Sequence, residues 1–300
     1  MSHAGELAAL GTSLGFTLGP TFFSLAGRRV GSQVVNRIRL LGAAPLLVLL
    51  HFALTGAPLP AFDATRWLWL ALSGLVGLVA GDACLFRAFV LIGPRLTMLV
   101  YSLNPLIAAL LARVLFGERL GPLQVLAMAV TLAGVGWVVS ERQPRTGPQS
   151  APDGSLAPGL LLALGGGAGQ ALGLVFARQG LGDGLPALSA HVLRMCAAAV
   201  GIWILALAQR QVRLTFRRLR EQPRALGTIL GGMTFGPVAG VWLAMVAIAR
   251  TELGVASTLM ALPPIFLLPV GRFVFRERVG ARAVAGTLLA VAGAVALFLL

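Results

Sequence analysis

A chain of 300 residues that is 57% hydrophobic and 11% charged, with a mean hydropathy of +0.88, carries under half the usual charge of a soluble domain. That excludes an ordinary soluble fold, which has no interior large enough to hide so much apolar surface. The net charge of +14 rests on 24 arginines set mostly at the ends of apolar runs, the pattern of membrane loops, and no zinc-ligand spacing or recognition motif points to nucleic acid.

Read against the roughly 20 apolar residues that a spanning helix needs, the chain divides into ten runs: 6–26, 32–53, 67–88, 94–116, 121–140, 157–178, 187–208, 225–248, 254–275 and 280–300. The expected fold is an all-α integral membrane protein. The opening MSHAGELAAL lacks the basic stretch and cleavage site of a secretory signal, so the first run is expected to remain in the mature chain.

The first run carries GTSLGFTLG, a small-residue face suited to close helix packing. Arg39 opens the second run. The third contains Asp82, well inside GLVAGDACLFRAF, where a charge is expensive and faces a cavity or a partner. Two readings stand side by side for Asp82: a proton or substrate-amine site, or a structural ion pair with Arg87 or Arg39. In the fourth run Asn104 and Pro105 stand mid-span, and proline bends a helix by removing one of its hydrogen bonds. The carbonyl freed near Tyr101 then needs a polar interior or a wet cavity. Tyr101, the only tyrosine, with Thr97, Met98 and Ser102 beside it, makes a candidate cavity lining or an ordinary helix contact.

After the fifth run comes ERQPRTGPQSAPDGS, a linker by its Pro, Gly and Ser content. It divides the chain into residues 1–143 and 156–300, with 144–155 between. The sixth run holds Gln170 inside GGGAGQALG, a second packing face that is no phosphate loop, since no Lys-Ser/Thr follows it. His191 and Arg194 open the seventh run, and QRQVRLTFRRLREQPR follows as a polar connection. Trp242 falls in the eighth run, Ser257 and Met260 in the ninth, where Pro263 and Pro264 repeat the mid-span bend. Trp67, Trp69 and Trp137 read as interfacial anchors. Cys84 and Cys196 lie inside apolar runs as small core residues. The three histidines lack metal-ligand spacing, and no nucleophile–base constellation is visible, so neither metal, cofactor nor enzyme is expected.

The two halves repeat. A shift of 159 aligns Pro105 with Pro264, Arg113 with Arg272, Glu118 with Glu277, Gly121 with Gly280 and Asp82 with Val241. A shift of 154 aligns Gly11, Gly15 and Gly19 with Gly165, Gly169 and Gly173. An odd number of crossings per copy makes the second copy inverted, a recurring plan in transporters.

The mid-helix proline, the Glu-Arg about 13 residues later and the following Ala-Gly occur in each half. They stand in LFRAFVLIGPRLTMLVYSLNPLIAALLARVLFGERLGPLQVLAMAVTLAGVGWVV and in AMVAIARTELGVASTLMALPPIFLLPVGRFVFRERVGARAVAGTLLAVAGAVALF. With Arg39 and its counterpart Arg194, they resemble the EamA-type family of the drug/metabolite transporter superfamily across the whole chain. The resemblance implies ten transmembrane helices in two inverted five-helix repeats. It also implies a bacterial inner-membrane exporter of amino acids or related metabolites, working by alternating access at a central cavity. Cavity residues would then be Asp82, Thr97, Met98, Tyr101, Ser102, Asn104, Gln170, Trp242, Ser257 and Met260, with hinges at Pro105, Pro263 and Pro264. Arg39, Arg87 and Asp82 form the candidate ion-pair or proton site. The expected partners are the small-molecule substrate and membrane lipid, and two complete halves suit a monomer. Membrane-embedded lipid chemistry or a non-transport subunit are the alternative roles.

Arginine sets the orientation. Eighteen of the 24 fall in or beside the loops after odd-numbered runs, six of them in 209–224. Arginine-rich short loops stay cytoplasmic, which places both termini outside, against the inside placement that the family resemblance implies.

Overall fold

A computed structural model of the chain describes residues 4–61, 63–116, 121–140, 156–181, 185–250, 259–260, 262–276 and 279–299. Among these, every regular element is helical. Helices α1 (Ala4–Val30) and α2 (Ser32–Thr55) meet at Gly31, whose φ of 91° is a conformation that only glycine adopts without strain. Helix α3 (Ala64–Ser73) starts at Asp63, whose carboxylate accepts the Arg66 N–H at 3.0 Å. It continues through wider π-helical turns at Gly74–Gly81 into α4 (Asp82–Tyr101).

The predicted break between the third and fourth runs is real, and it is sharp. Gly93 leaves the helix (φ 80°, ψ 162°) directly before Pro94, whose ring disfavours helical geometry in the preceding residue. The fourth run breaks again at Ser102–Leu103 and resumes as α5 (Asn104–Phe116). Pro105 therefore lies in the first turn of a new helix, where a missing N–H costs nothing, rather than inside a continuous kinked one. Then follow α6 (Pro122–Ser140), α7 (Leu156–Leu181) and α8 (Ala187–Ala208).

The polar connection after α8 contains a short amphipathic helix, α9 (Val212–Glu221). Its Phe216 stacks on Trp203 of α8 at 5.6 Å. Its Thr215 and the adjacent Gln211 receive the Arg37 guanidinium, at 3.0 and 2.5 Å. Helix α10 (Pro223–Met233) widens at Thr234–Gly240 into α11 (Val241–Arg250), just as α3 does at the matching register. Helices α12 (Pro263–Phe273) and α13 (Ala281–Leu299) complete the fold. Pro263 and Pro264 open α12, the arrangement seen at Asn104–Pro105.

Six stretches among the described residues are long and apolar enough to cross a bilayer: Ser32–Thr55, Ala64–Tyr101, Pro122–Val139, Leu156–Leu181, Ala187–Ala208 and Pro223–Ala244. The chain is a multi-pass membrane protein. Its polarity is inverted accordingly. Helix α1 buries Thr12, Ser13, Thr17, Thr21 and Ser24 and turns Leu7 and Leu14 outward. The threonine hydroxyls stay satisfied on their own helix, Thr12 donating to the Ala8 carbonyl at 2.9 Å and Thr17 to Ser13 at 2.7 Å, while Ser24 donates across to the Phe89 carbonyl of α4 at 3.1 Å.

The halves interlock through their first helices. Helix α1 packs on α10, the wide segment 234–240 and α11, while α7 packs on α3, the wide segment 74–81 and α4. A side-chain carbon placed on Gly169 would lie 2.6 Å from Gly81 Cα, and one on Gly173 would lie 3.1 Å from Gly77 Cα. The repeat-related glycines make the same contacts, Gly15 against Gly240 Cα at 3.2 Å and Gly19 against Gly236 Cα at 3.1 Å. Backbones this close exclude any side chain, the small-residue mode of membrane helix packing. The Ser73 hydroxyl donates across the same seam to the Gly173 carbonyl. Helices α2 and α8 also pack as a related pair, as do α6 and α13.

Candidate functional site

The seam between the halves holds a buried polar assembly. The π-helical turns of 74–81 end at Asp82, which is 3% exposed and faces α2 and α7 at once. Arg39 Nη2 donates to Asp82 Oδ2 at 2.5 Å, and Gln170 Nε2 donates to Oδ1 at 3.0 Å. Arg39 Nη2 also reaches Asn36 Oδ1 at 3.0 Å, and Asn36 Nδ2 donates onward to the Leu78 carbonyl at 3.2 Å. The Arg39 guanidinium lies over the Phe86 ring at 5.1 Å and the Phe23 ring at 6.0 Å. Two ring faces and two oxygens thus surround a charge that would be costly in hydrocarbon.

Of the two cations offered as partners for Asp82, Arg39 makes the ion pair. Arg87 is exposed, because its position on α4 points away from the seam. Gln170 does reach the site, and it does so from the other half of the chain. Tyr101 and Met98 pack against the Phe23–Phe86–Phe89 cluster, within electrostatic reach of Asp82 in the case of Tyr101. Ser102 is half-buried and spends its hydroxyl on the Leu99 carbonyl at 2.6 Å. Asn104 Oδ1 is buried without a hydrogen-bond partner among the described residues.

Other expected residues stand elsewhere. Thr97 is fully buried and donates to the Gly93 carbonyl at 2.7 Å, so it braces the bend before Pro94 instead of facing the seam. Trp242 is 52% exposed on the outer face of α11 and lines no interior. Met260 packs with Ala8, Ala9 and Ala247 at the α1–α11 contact. Ser257 lies outside the described residues, as do Glu118 and Glu277. His51 is structural: its Nε2 pairs with the Ser189 hydroxyl at 2.9 Å and its Nδ1 with the Ala57 carbonyl at 2.7 Å. Among the described residues no group of three or more His, Cys, Asp or Glu is placed to hold a metal.

Sequence reasoning missed Asn36 and the two aromatic faces on Arg39. A signal for Asn36 exists in the chain, since Asn36 and Arg39 stand at the same spacing of three as His191 and Arg194, displaced by 155 residues.

The sequence profile of the EamA-like transporter family matches residues 3–140 and again 157–299, covering nearly all of both halves. The chain belongs to the EamA-like transporter family. A crystal structure among the 28 matching solved chains is 18% identical to this EamA-like protein, covering 99% of it and 96% of that chain, with a TM-score of 0.54. At that identity the likeness speaks to the fold alone. No curated protein matches. The family fixes the protein as a membrane transporter.

Proposed function

We propose that this EamA-like transporter exports small amphipathic metabolites, amino acids foremost, across a bacterial inner membrane by alternating access between two inverted five-helix repeats. The observation that carries the reading is the seam itself: Asp82 takes one partner from each half, Arg39 and Gln170, in the middle of mirrored helix contacts. Ten crossings accommodate Ala64–Tyr101, whose 38 residues would span about 57 Å if straight, almost twice a bilayer core. Dividing it at Gly93 gives two crossings. The restarts at Asn104–Pro105 and Pro263–Pro264 serve as hinges, and Tyr101, Asn104 and Gln170 as polar and aromatic lining. The protein works as a monomer in lipid, without nucleic acid or cofactor.

Counterflow in proteoliposomes tests this. Purified protein is expected to exchange a subset of radiolabelled amino acids saturably at one or both of two pH values. If Asp82 carries a coupled proton, Asp82→Asn keeps exchange but loses its pH dependence, and pH-dependent flux unchanged in that variant removes Asp82 from coupling. Absence of exchange across the panel would turn the reading toward other metabolites.

Orientation has its own expected result. With 209–224 cytoplasmic and both termini outside, a cysteine at Arg220 stays unlabelled by an impermeant thiol reagent on intact cells, while one at Arg66 is labelled. Reversed labelling would put the termini inside.

A further inference from the structure

The two halves share a guanidinium at the same place but not its counter-charge. Arg39 has Asp82, Gln170 and Asn36. In the repeat register the counterparts of Asp82, Gln170 and Asn36 are Val241, Phe16 and His191, none of them a carboxylate. Arg194 Nε and His191 Nε2 are both buried without a hydrogen-bond partner, and Arg194 makes no ion pair among the described residues. Arg194 nevertheless reaches the seam. A side-chain carbon placed on Gly77 would lie 3.4 Å from Arg194 Nη2 and 3.2 Å from Gln170 Oε1, and Arg194 is within electrostatic reach of Asp82 and Tyr101. Arginine keeps its proton under all ordinary conditions. Among the described residues at the seam, one carboxylate therefore faces two guanidiniums, an excess of one positive charge.

We propose that Arg194, with His191, binds the carboxylate of the transported substrate, which takes at Arg194 the place that Asp82 holds at Arg39. The guanidinium fork matches a carboxylate in bidentate geometry. A single carboxylate group balances the local excess charge at Arg194, whereas a phosphate dianion would overshoot it. Asp82, already engaged by Arg39 and Gln170, is on this account the internal counterpart of the ligand. The proposal rests on the transporter reading and narrows its substrate to small molecules that carry one carboxylate, amino acids included.

The test uses full-length protein in phosphatidylcholine nanodiscs and the midpoint of thermal unfolding. Hexanoate and 3-phenylpropanoate are compared with hexanamide and 3-phenylpropanamide, of equal shape and no charge. The carboxylates are expected to raise the midpoint by several degrees and the amides to leave it unchanged, with the response lost in Arg194→Gln. Arg194→Lys keeps the charge but not the fork, so it is expected to fold and to retain at most half of the carboxylate shift. Equal shifts from acids and amides, no carboxylate shift in the unaltered protein, or a full shift in Arg194→Gln overturns the proposal. If Arg194→Gln fails to fold, Arg194→Lys decides, since an undiminished carboxylate response there overturns the proposal equally. A carboxylate response without amino-acid counterflow would retire the amino-acid reading and keep the Arg194 assignment; counterflow without a carboxylate response would do the reverse.

Discussion

Asp82→Ala is expected to destabilise the protein by about 3–5 kcal/mol, because it strands the Arg39 guanidinium in a buried site with no anion. The ion pair spans α2 and α4 at 2.5 Å with both side chains almost wholly buried. Gln170 loses its acceptor at the same time, so the contact with α7 weakens too. The double variant Arg39→Ala/Asp82→Ala removes both charges and is expected to recover more than half of the loss, since neither partner then remains unsatisfied. Unfolding by a denaturing detergent, followed through tryptophan fluorescence, measures all three proteins. A loss below about 1 kcal/mol in the single variant would place the pair in the class of solvated surface bridges, and the seam would then be wet rather than closed.

Gly169→Val carries the second large effect. The added Cβ would meet Gly81 Cα at 2.6 Å and the Gly81 N at 3.1 Å, and backbone cannot step aside as a side chain can. Helix α7 must lift from the wide segment, pulling Gln170 away from Asp82. Overpacking typically costs about 1–3 kcal/mol, and the upper end is expected here because main chain meets main chain. Gly15→Val, against the Phe235 carbonyl and Gly240 Cα, should behave alike in the related position. Gly136→Ala on α6, where nothing lies within 4 Å of the added carbon, is the control. It should be neutral or gain up to about 1 kcal/mol from helix propensity. Equal tolerance of Gly169→Val and Gly136→Ala in the same unfolding measurement would mean that the glycine contacts do not set the packing.

Much of this fold is readable from residues because hydrocarbon restricts the choices. Long apolar runs become helices, and glycines at the same offsets in both halves become contacts. Asp82 stood out by charge alone. Its partner did not, because Arg87 follows it by only five residues while Arg39 lies on another helix, and only the facing of α2 toward α4 selects Arg39. Trp242 misled for the same reason: a tryptophan at the right register faces inward or lipid-ward according to a helix rotation that local sequence does not set. Helix α9 was hidden in a polar stretch whose order comes from Arg37 and Trp203 on other elements. The π-helical segments left no trace beyond their glycines.

The crossed seating of α1 and α7 also governs how the protein is made. Segment 74–81 enters the bilayer with its glycine face bare, and its cover, α7, begins only at Leu156. At about 5–20 residues per second of synthesis, the intervening 74 residues leave that face open to lipid for roughly 4–15 s. The early half cannot mature on its own ribosome time; it must wait, intact and uncaptured by neighbouring chains, for a helix still inside the translation machinery.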